Sequence, residues 1–156
     1  MVYQGNIGSM EKTRFGGLTR SEVMSRIRGR GNEKTEVLLA RLMRAEGLRG
    51  WRRHLPIPGR PDFSFRRQKV AVFVDGCFWH GCPRCFRLPK QNRAFWKAKI
   101  EGNRKRDQLV NGRLRRLRWK VLRIRECHLK DRKKVIKKII KMIRSKPPFS
   151  KGLKKS

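Results

Sequence analysis

Acidic residues are scarce in this chain, which has 11 Asp and Glu against 44 Lys and Arg in 156 residues. The formal charge is +33, and the excess is spread along the whole sequence. Self-repulsion on this scale opposes folding unless a polyanion offsets it. Nucleic acid is the polyanion that the composition favours, because Lys and Arg neutralise phosphates and release counterions. Merely solvated basic faces and a membrane-surface role stay open as alternatives.

Long apolar runs are also missing from the sequence. No stretch approaches the roughly 20 apolar residues that a membrane-spanning helix needs, and the N-terminal segment MVYQGNIGSMEKTRFGG lacks the apolar region of a secretory signal. We therefore expect a cytoplasmic, nucleoid-associated protein without membrane contact. The length suits one domain with tails. Met10 is an alternative start, since nothing before it predicts structure.

Cysteine is limited to Cys77, Cys82, Cys85 and Cys127. In a reducing compartment such residues favour metal binding over disulfides. The C-x₄-C-x₂-C pattern with a distant fourth cysteine matches a closed tetrahedral zinc site. The alternative is that the cysteines are small buried hydrophobic residues. Four thiolates leave no open position on the metal, so the reacting groups must lie elsewhere.

The segment 69–85, KVAVFVDGCFWHGCPRC, concentrates the residues with chemical potential. Its apolar run from Val70 to Val74 predicts a strand that is covered on both faces. The strand should end at Asp75 and Gly76, a pair that breaks strand structure. The side chains that follow then lie at a strand end, where α/β folds commonly place their chemistry.

Hydrophobic spacing predicts the other elements. They are a basic helical arm from residue 19, a helix over 32–47, strands over 63–65 and 119–125, a helical region over 95–117 and a basic amphipathic helix over 132–145. Strand 63–65 should form a hairpin with 69–74. We expect disordered ends at 1–18 and 146–156, with the main folded domain spanning 19–131. Glu36, in the first turn of helix 32–47, either complements the helix dipole or faces a metal.

The sequence resembles the very short patch repair endonucleases, the Vsr-type mismatch nicking enzymes. The resemblance runs from Thr19 to about Lys130. It rests on GRPDF at 59–63, VFVDGCFWH at 72–80, Phe95-Trp96 with Asn103 and Asp107, and Glu126-Cys127. The GCFWH string is highly specific, whereas GRPD alone is a weak signal.

The resemblance implies a single-domain α/β PD-(D/E)-x-K fold, restriction-endonuclease-like, with a mixed central sheet flanked by helices. It implies magnesium-dependent nicking of double-stranded DNA beside a T:G mismatch. Whether the protein also has partners from a mismatch-repair or DNA methyltransferase system stays open, and we expect a monomer. Asp62 and the carbonyl of Val74 would hold Mg²⁺, and Asp75 would hold water that the metal binds. His80 would be the general acid/base, with Glu36 near the metal.

The same resemblance assigns DNA-contacting and zinc-binding residues. Phe78, Trp79 and Trp96 match an aromatic wedge that is inserted beside the mismatch. Met24 and Ile27 of the N-terminal arm would approach the other groove, and Asn103 is placed among the DNA-binding residues. The zinc ligands of the family match Cys77, Cys82, Cys85 and Cys127.

Two departures from general patterns are visible. Asp75-Gly76-Cys77 puts a cysteine where the Asp/Glu-x-Lys motif has lysine, which moves the base role to His80, and Arg125 stands where an aromatic residue is expected. His80 has the alternatives of an unused zinc-type ligand or a phosphate contact, and Phe78 and Trp79 that of core packing.

The residues support hydrolysis independently of the resemblance. Magnesium usually takes one or two protein carboxylates, and histidine transfers protons near neutral pH. The rival functions are a related endonuclease without mismatch preference and a non-catalytic, zinc-stabilised nucleic-acid-binding protein. Clustered acids argue against the second rival, because they repel DNA.

Overall fold

Four strands form one mixed sheet in the computed structural model, which describes residues 33–89 and 92–145. They are β1 (Trp51–Arg53), β2 (Phe63–Phe65), β3 (Val70–Asp75) and β4 (Lys120–Arg125), adjacent in that order. Neighbours among β1, β2 and β3 pair antiparallel, and β4 pairs parallel to β3. The predictions for Met24, Ile27, the N-terminal arm and both disordered ends lie outside the described residues.

Three α-helices surround the sheet. They are α1 (Leu38–Ala45), preceded by a π-helical turn (Glu33–Val37), α2 (Arg93–Arg116) and α3 (Arg132–Arg144), with a 3₁₀-helix (Glu126–Lys130) after β4. Along the chain, helix α2 connects β3 to β4. Two parallel neighbouring strands need such a crossover connection. Within residues 33–89 and 92–145, no helix has the length and apolar character to cross a membrane.

Strand β3 is covered on both faces, as its continuous apolar run predicted. Val70 and Val72 belong to a core that α1 and α3 complete, whereas Ala71 and Phe73 belong to a second core with α2. Successive side chains of a strand point to opposite faces, so a central strand between two helical layers needs apolar residues throughout. The predicted mixed α/β architecture with flanking helices is therefore confirmed.

Helix α3 belongs to the larger core. Its Val135, Ile136 and Ile139 are buried together with Leu39 and Met43 of α1. The sequence predicts a basic amphipathic helix here. Its apolar face packs into the larger core, because burying that face gives the helix most of its stability.

The β2–β3 hairpin is confirmed, and its register pairs Phe63 with Val72. Strand β1 was missed, because a three-residue stretch with an exposed arginine pair carries no periodicity. Gly59 precedes Asp62 at φ +76°, and a Cβ there would lie 2.3 Å from Val110 Cγ1 of α2. A side chain at Gly59 would therefore push helix α2 away from the Asp62 loop.

Candidate active site and metal sites

Asp62 lies in a cluster with Glu36 and His54. One ligand atom from each of the three side chains lies within 4.8 Å of the others. Glu36 Oε2 accepts a hydrogen bond from Arg53 Nη2 at 2.6 Å and lies 3.4 Å from His54 Nε2. The Val74 backbone N–H donates to Asp62 Oδ2 at 2.6 Å. The β2–β3 register thus brings the loop before β2 against the end of β3.

The surroundings of Asp62 destabilise the ionised form of its carboxyl group. Burial, the largest cause, raises its pKa. The hydrogen bond from Val74 lowers it and the nearby charges of Glu36 and Asp75 raise it, which gives a net pKa of about 6 against the ordinary 3.8. Crowded carboxylates raise one another's pKa because like charges cannot all ionise at low cost. Such a cluster is suited to a divalent cation, which would relieve the repulsion.

A second cluster consists of Asp75, His80 and Asp107, also with one ligand atom each within 4.8 Å. His80 Nδ1 lies 2.6 Å from Asp107 Oδ2, and His80 Nε2 lies 3.8 Å from Asp75 Oδ1. Arg123 joins the two acids, since its Nη1 donates to Asp75 at 2.8 Å and its Nη2 lies 3.2 Å from Asp107. His80 is therefore grouped with carboxylates and not with the cysteines.

Asp107 determines which nitrogen of His80 carries the proton. Burial alone would raise the pKa of Asp107, but the hydrogen bond and charge of His80, with the charges of Arg123 and Arg106, lower it below its ordinary value. An ionised carboxylate only accepts hydrogen bonds, so Nδ1 must be the donor. In neutral His80 the remaining nitrogen, Nε2, is then unprotonated and can act as a base.

The four cysteines converge at the junction of the β3 loop and the 3₁₀-helix. Their Sγ atoms all lie within 4.8 Å of one another, and those of Cys82 and Cys127 are 3.7 Å apart. Tetrahedral zinc with Zn–S bonds of about 2.3 Å separates its sulfurs by about 3.8 Å. The backbone N–H of Cys127 also donates to Cys77 Sγ at 3.3 Å.

Backbone amides favour a thiolate at Cys82. Burial raises the pKa of this thiol. Hydrogen bonds from the backbone N–H groups of Arg84 and Cys85, together with those from the Cys85 and Cys127 side chains, outweigh burial and lower the pKa to about 6. By contrast, burial raises the pKa of Cys77 to about 11. The chain thus presents sulfur ligands with supporting amides, which fits Zn²⁺.

We expect the purified protein to hold one zinc ion per chain and Cys127→Ser to lose it together with most of the folded population. Cys127 is the one cysteine of the cluster that lies after β4, whereas the other three lie in the β3 loop. Zinc-binding energy in such sites is folding energy, on the order of 10 kcal/mol in zinc-finger peptides. Metal analysis and thermal unfolding test this. Arg84→Ser, in the same loop, should keep its zinc. A zinc-free wild type with the melting temperature of the metal-loaded protein would contradict the assignment.

An aromatic cluster lies beside His80. The ring of Phe78 is 5.3 Å from that of Trp79 and 5.2 Å from that of Trp96, both edge to face, and Trp79 and Trp96 are 6.2 Å apart. All three side chains are partly exposed and belong to neither hydrophobic core. Phe95 extends the cluster and is 60% exposed. The rings thus form a partly exposed apolar patch at the protein surface.

The loop that carries Phe78 and Trp79 is fixed through its backbone, whereas Phe95 and Trp96 lie on α2. Asn103 Nδ2 donates to the Trp79 carbonyl at 2.8 Å, Arg125 Nη1 to that of His80 at 2.9 Å and Arg104 Nη2 to that of Gly81 at 2.6 Å. Asn103 is buried, so the structure places it beneath the loop. Gly81 has a φ of +54°, and a Cβ there would lie 2.9 Å from Ile100 Cγ2 of α2, so this position favours glycine.

Sequence reasoning missed His54 and Arg123 as members of the two clusters. His54 follows a strand that is too short to predict, and its φ of +50°, unusual for a side-chain-bearing residue, is invisible in the sequence. Arg123 is one of 44 basic residues, so only its contacts distinguish it. Asp107 was part of the family resemblance without an assigned role.

Comparison with known proteins agrees with this site. Residues 14–85 match the family model described as DNA mismatch endonuclease Vsr. The chain is 38% identical over 119 residues to the protein of that name from Escherichia coli, covering 75% of each chain.

Two further relatives are described as nicking enzymes. Type II nicking enzyme V.NmeDIP of Neisseria meningitidis is 49% identical over 106 residues, which cover 67% of this chain and 71% of the relative. Type II nicking enzyme V.XorIIP of Xanthomonas oryzae is 36% identical over 114 residues, covering 72% and 82%.

Proposed function

Because this chain belongs to the Vsr family of DNA mismatch endonucleases, we propose that it nicks one strand of double-stranded DNA next to a T:G mismatch with the help of Mg²⁺. Endonuclease activity follows from the family. Specificity for the T:G mismatch and dependence on Mg²⁺ are proposed here. The restriction-endonuclease-like PD-(D/E)-x-K fold is proposed with it. A mixed sheet between helical layers is consistent with that fold.

The observation that carries the proposal is the pair of acidic clusters at one end of β3. Glu36, Asp62, Asp75 and Asp107 are four of only 11 acids in a chain of charge +33. A surface that merely binds phosphate would not gather them, since they repel DNA. Hydrolysis of a phosphodiester has a use for them, because carboxylates can hold a hard cation and orient a base.

The first cluster is the proposed magnesium site. Asp62 and the Val74 carbonyl would hold the ion, which would supply charge stabilisation at the phosphate. Glu36 is buried and lies within salt-bridge distance of Arg53 and His54, so it positions both side chains beside Asp62. The Arg53 guanidinium limits the negative charge of the cluster, which helps a polyanionic substrate to approach.

The second cluster is the proposed proton-transfer site. Asp107 holds the His80 ring through Nδ1 and leaves Nε2 to exchange a proton with water or with the leaving oxygen. Asp75 Oδ1 lies 3.8 Å from Nε2, too far for a direct hydrogen bond, and it accepts a hydrogen bond from Arg123 instead, so Nε2 stays available for proton transfer. Arg123 fixes both acids and thereby the geometry around His80.

Mismatch recognition is proposed for the aromatic cluster of Phe78, Trp79 and Trp96. Inserting rings between base pairs costs unstacking energy, and this cost is lowest at an already weakened pair. Side chains of Asn103, Arg104 and Arg125 bind the backbone of the loop that carries Phe78 and Trp79. This loop is therefore held in place, so little conformational entropy is lost when the rings insert. We further propose a monomeric, cytoplasmic enzyme that works with mismatch-repair or methyltransferase partners.

A nicking assay on T:G and matched duplexes of one sequence tests the proposal. We expect nicking of the T:G duplex with Mg²⁺, none with a chelator, and much slower nicking of the matched duplex. The Cys127→Ser variant is unsuitable as an inactive control because it should unfold, so His80→Ala serves instead. Equal nicking of both duplexes would favour the endonuclease without mismatch preference. Binding without any cut would favour the non-catalytic rival.

A further inference from the structure

A cavity of about 380 Å³ lies between the cysteine site and helix α3. Three separate segments contribute cations to its lining: Arg84 from the loop between Cys82 and Cys85, Lys130 from the end of the 3₁₀-helix, and Lys134 and Lys138 from α3. No carboxylate of either acidic cluster lines it, but Arg123, which pairs with Asp75 and Asp107, does. The cavity thus adjoins the second acidic cluster through Arg123 and is formed otherwise by residues outside the proposed catalytic groups.

The four cations have no acidic partner within the described part of the chain. No carboxylate oxygen there lies within salt-bridge distance of any of them, whereas Arg53 and Arg123 at the acidic clusters are both paired. Asp131 also lines the cavity, but its Oδ1 accepts a hydrogen bond from the Lys134 backbone N–H at 3.1 Å. This acid therefore caps α3 and offsets only part of the positive charge.

The four cations are exposed, and like charges gathered around one cavity create a positive potential that attracts anions. Lys134 and Lys138 are one helical turn apart, so they project from the same side of α3. Arg84 is held by a loop whose two flanking cysteines belong to the sulfur cluster. A guanidinium and two ammonium groups that converge from fixed elements are suited to the oxygens of a phosphate.

We propose that this cavity binds a backbone phosphate of the DNA duplex away from the phosphate that is cut. The inference rests on the proposed function in that DNA is the ligand. The phosphate would anchor the duplex and leave the chemistry to the acidic clusters. Because Arg84 lies between two cysteines, the metal that these cysteines hold would also fix the phosphate contact.

The test compares two double variants of helix α3. Lys134→Gln with Lys138→Gln removes two charges from the cavity, and Lys133→Gln with Lys137→Gln removes two exposed charges from the same helix outside it. Binding of a matched duplex is measured across a salt series. One lost phosphate contact should make the slope of log K against log[salt] shallower by about 0.9. The control should keep the wild-type slope and both variants the wild-type melting temperature.

Three results would overturn the assignment: an unchanged slope in the cavity variant, equal changes in both variants, or binding of inorganic phosphate at the cavity without any effect on the DNA slope. The last outcome would indicate a site for free anions. Single-turnover nicking at saturating enzyme separates this test from the proposed function. The cavity variant should cut at the wild-type rate, whereas a wild type that never cuts would remove the proposed function and leave the slope result standing.

Discussion

Asp62→Asn is expected to abolish magnesium-dependent nicking while DNA binding persists or becomes tighter. The variant loses a carboxylate ligand, and metal-ion catalysis supplies several kcal/mol of stabilisation, so we expect a rate loss of about 1,000-fold or more. The amide oxygen can still accept the Val74 hydrogen bond, hence the local structure should remain. Removing one negative charge from a phosphate-facing cluster favours the DNA complex.

Glu46→Gln is the matched control. Glu46 is an exposed acid just after helix α1 and belongs to neither cluster, so its replacement removes the same charge without touching the site. Nicking rates under single turnover and dissociation constants on the same T:G duplex separate chemistry from binding. Normal nicking by pure Asp62→Asn would show that the metal is held elsewhere.

The same substitution should stabilise the metal-free protein at neutral pH. The folded-state pKa of Asp62, about 6, lies above its ordinary value of 3.8. Between these values the folded protein binds more protons than the unfolded chain, so stability falls as pH rises and the cost is fully present above about pH 6. Asparagine removes that cost, which is roughly 1–3 kcal/mol. Without divalent cations, the variant should therefore melt higher than wild type at pH 8, and the two should converge near pH 4.

Trp79→Ala is expected to lower nicking of T:G duplex by about 5- to 150-fold, the equivalent of one base-stacking contact of about 1–3 kcal/mol. Affinity for matched duplex should change little, because phosphate contacts supply affinity without sequence information. The salt slope of binding should stay that of the wild type, since no charge is removed. Discrimination between T:G and matched duplexes would thus fall, whereas the affinity for duplex DNA would remain.

Two variants sharpen this experiment. Trp79→Phe retains a ring and should recover part of the mismatch preference. Leu109→Ala shortens a 65%-exposed apolar side chain on α2 outside the aromatic cluster and should leave both activities unchanged. Trp79→Ala could instead keep its mismatch preference and show a shallower slope of log K against log[salt]. Trp79 would then be a packing residue that supports the basic surface. Selectivity would then lie with other residues.

Each acidic cluster contains residues that local sequence could predict and one residue that it could not. Asp62, Asp75 and His80 stand in short motifs at the ends of predicted strands, so they could be named as candidates without coordinates. His54 and Arg123 could not. Their partners lie 18 and 48 positions away along the chain, and only the strand register and the packing of the sheet bring them together.

The sequence by itself determined the central strand, the hairpin, the helices and the four cysteines, because each depends on periodicity or spacing within a short stretch. Tertiary structure decided that the acids divide into two clusters and that His80 pairs with Asp107 instead of joining the cysteines. It also decided that α3 belongs to the core and that Arg84 meets Lys134 and Lys138 at one cavity. These contacts join distant segments, and their geometry depends on how α2 and α3 pack against the sheet.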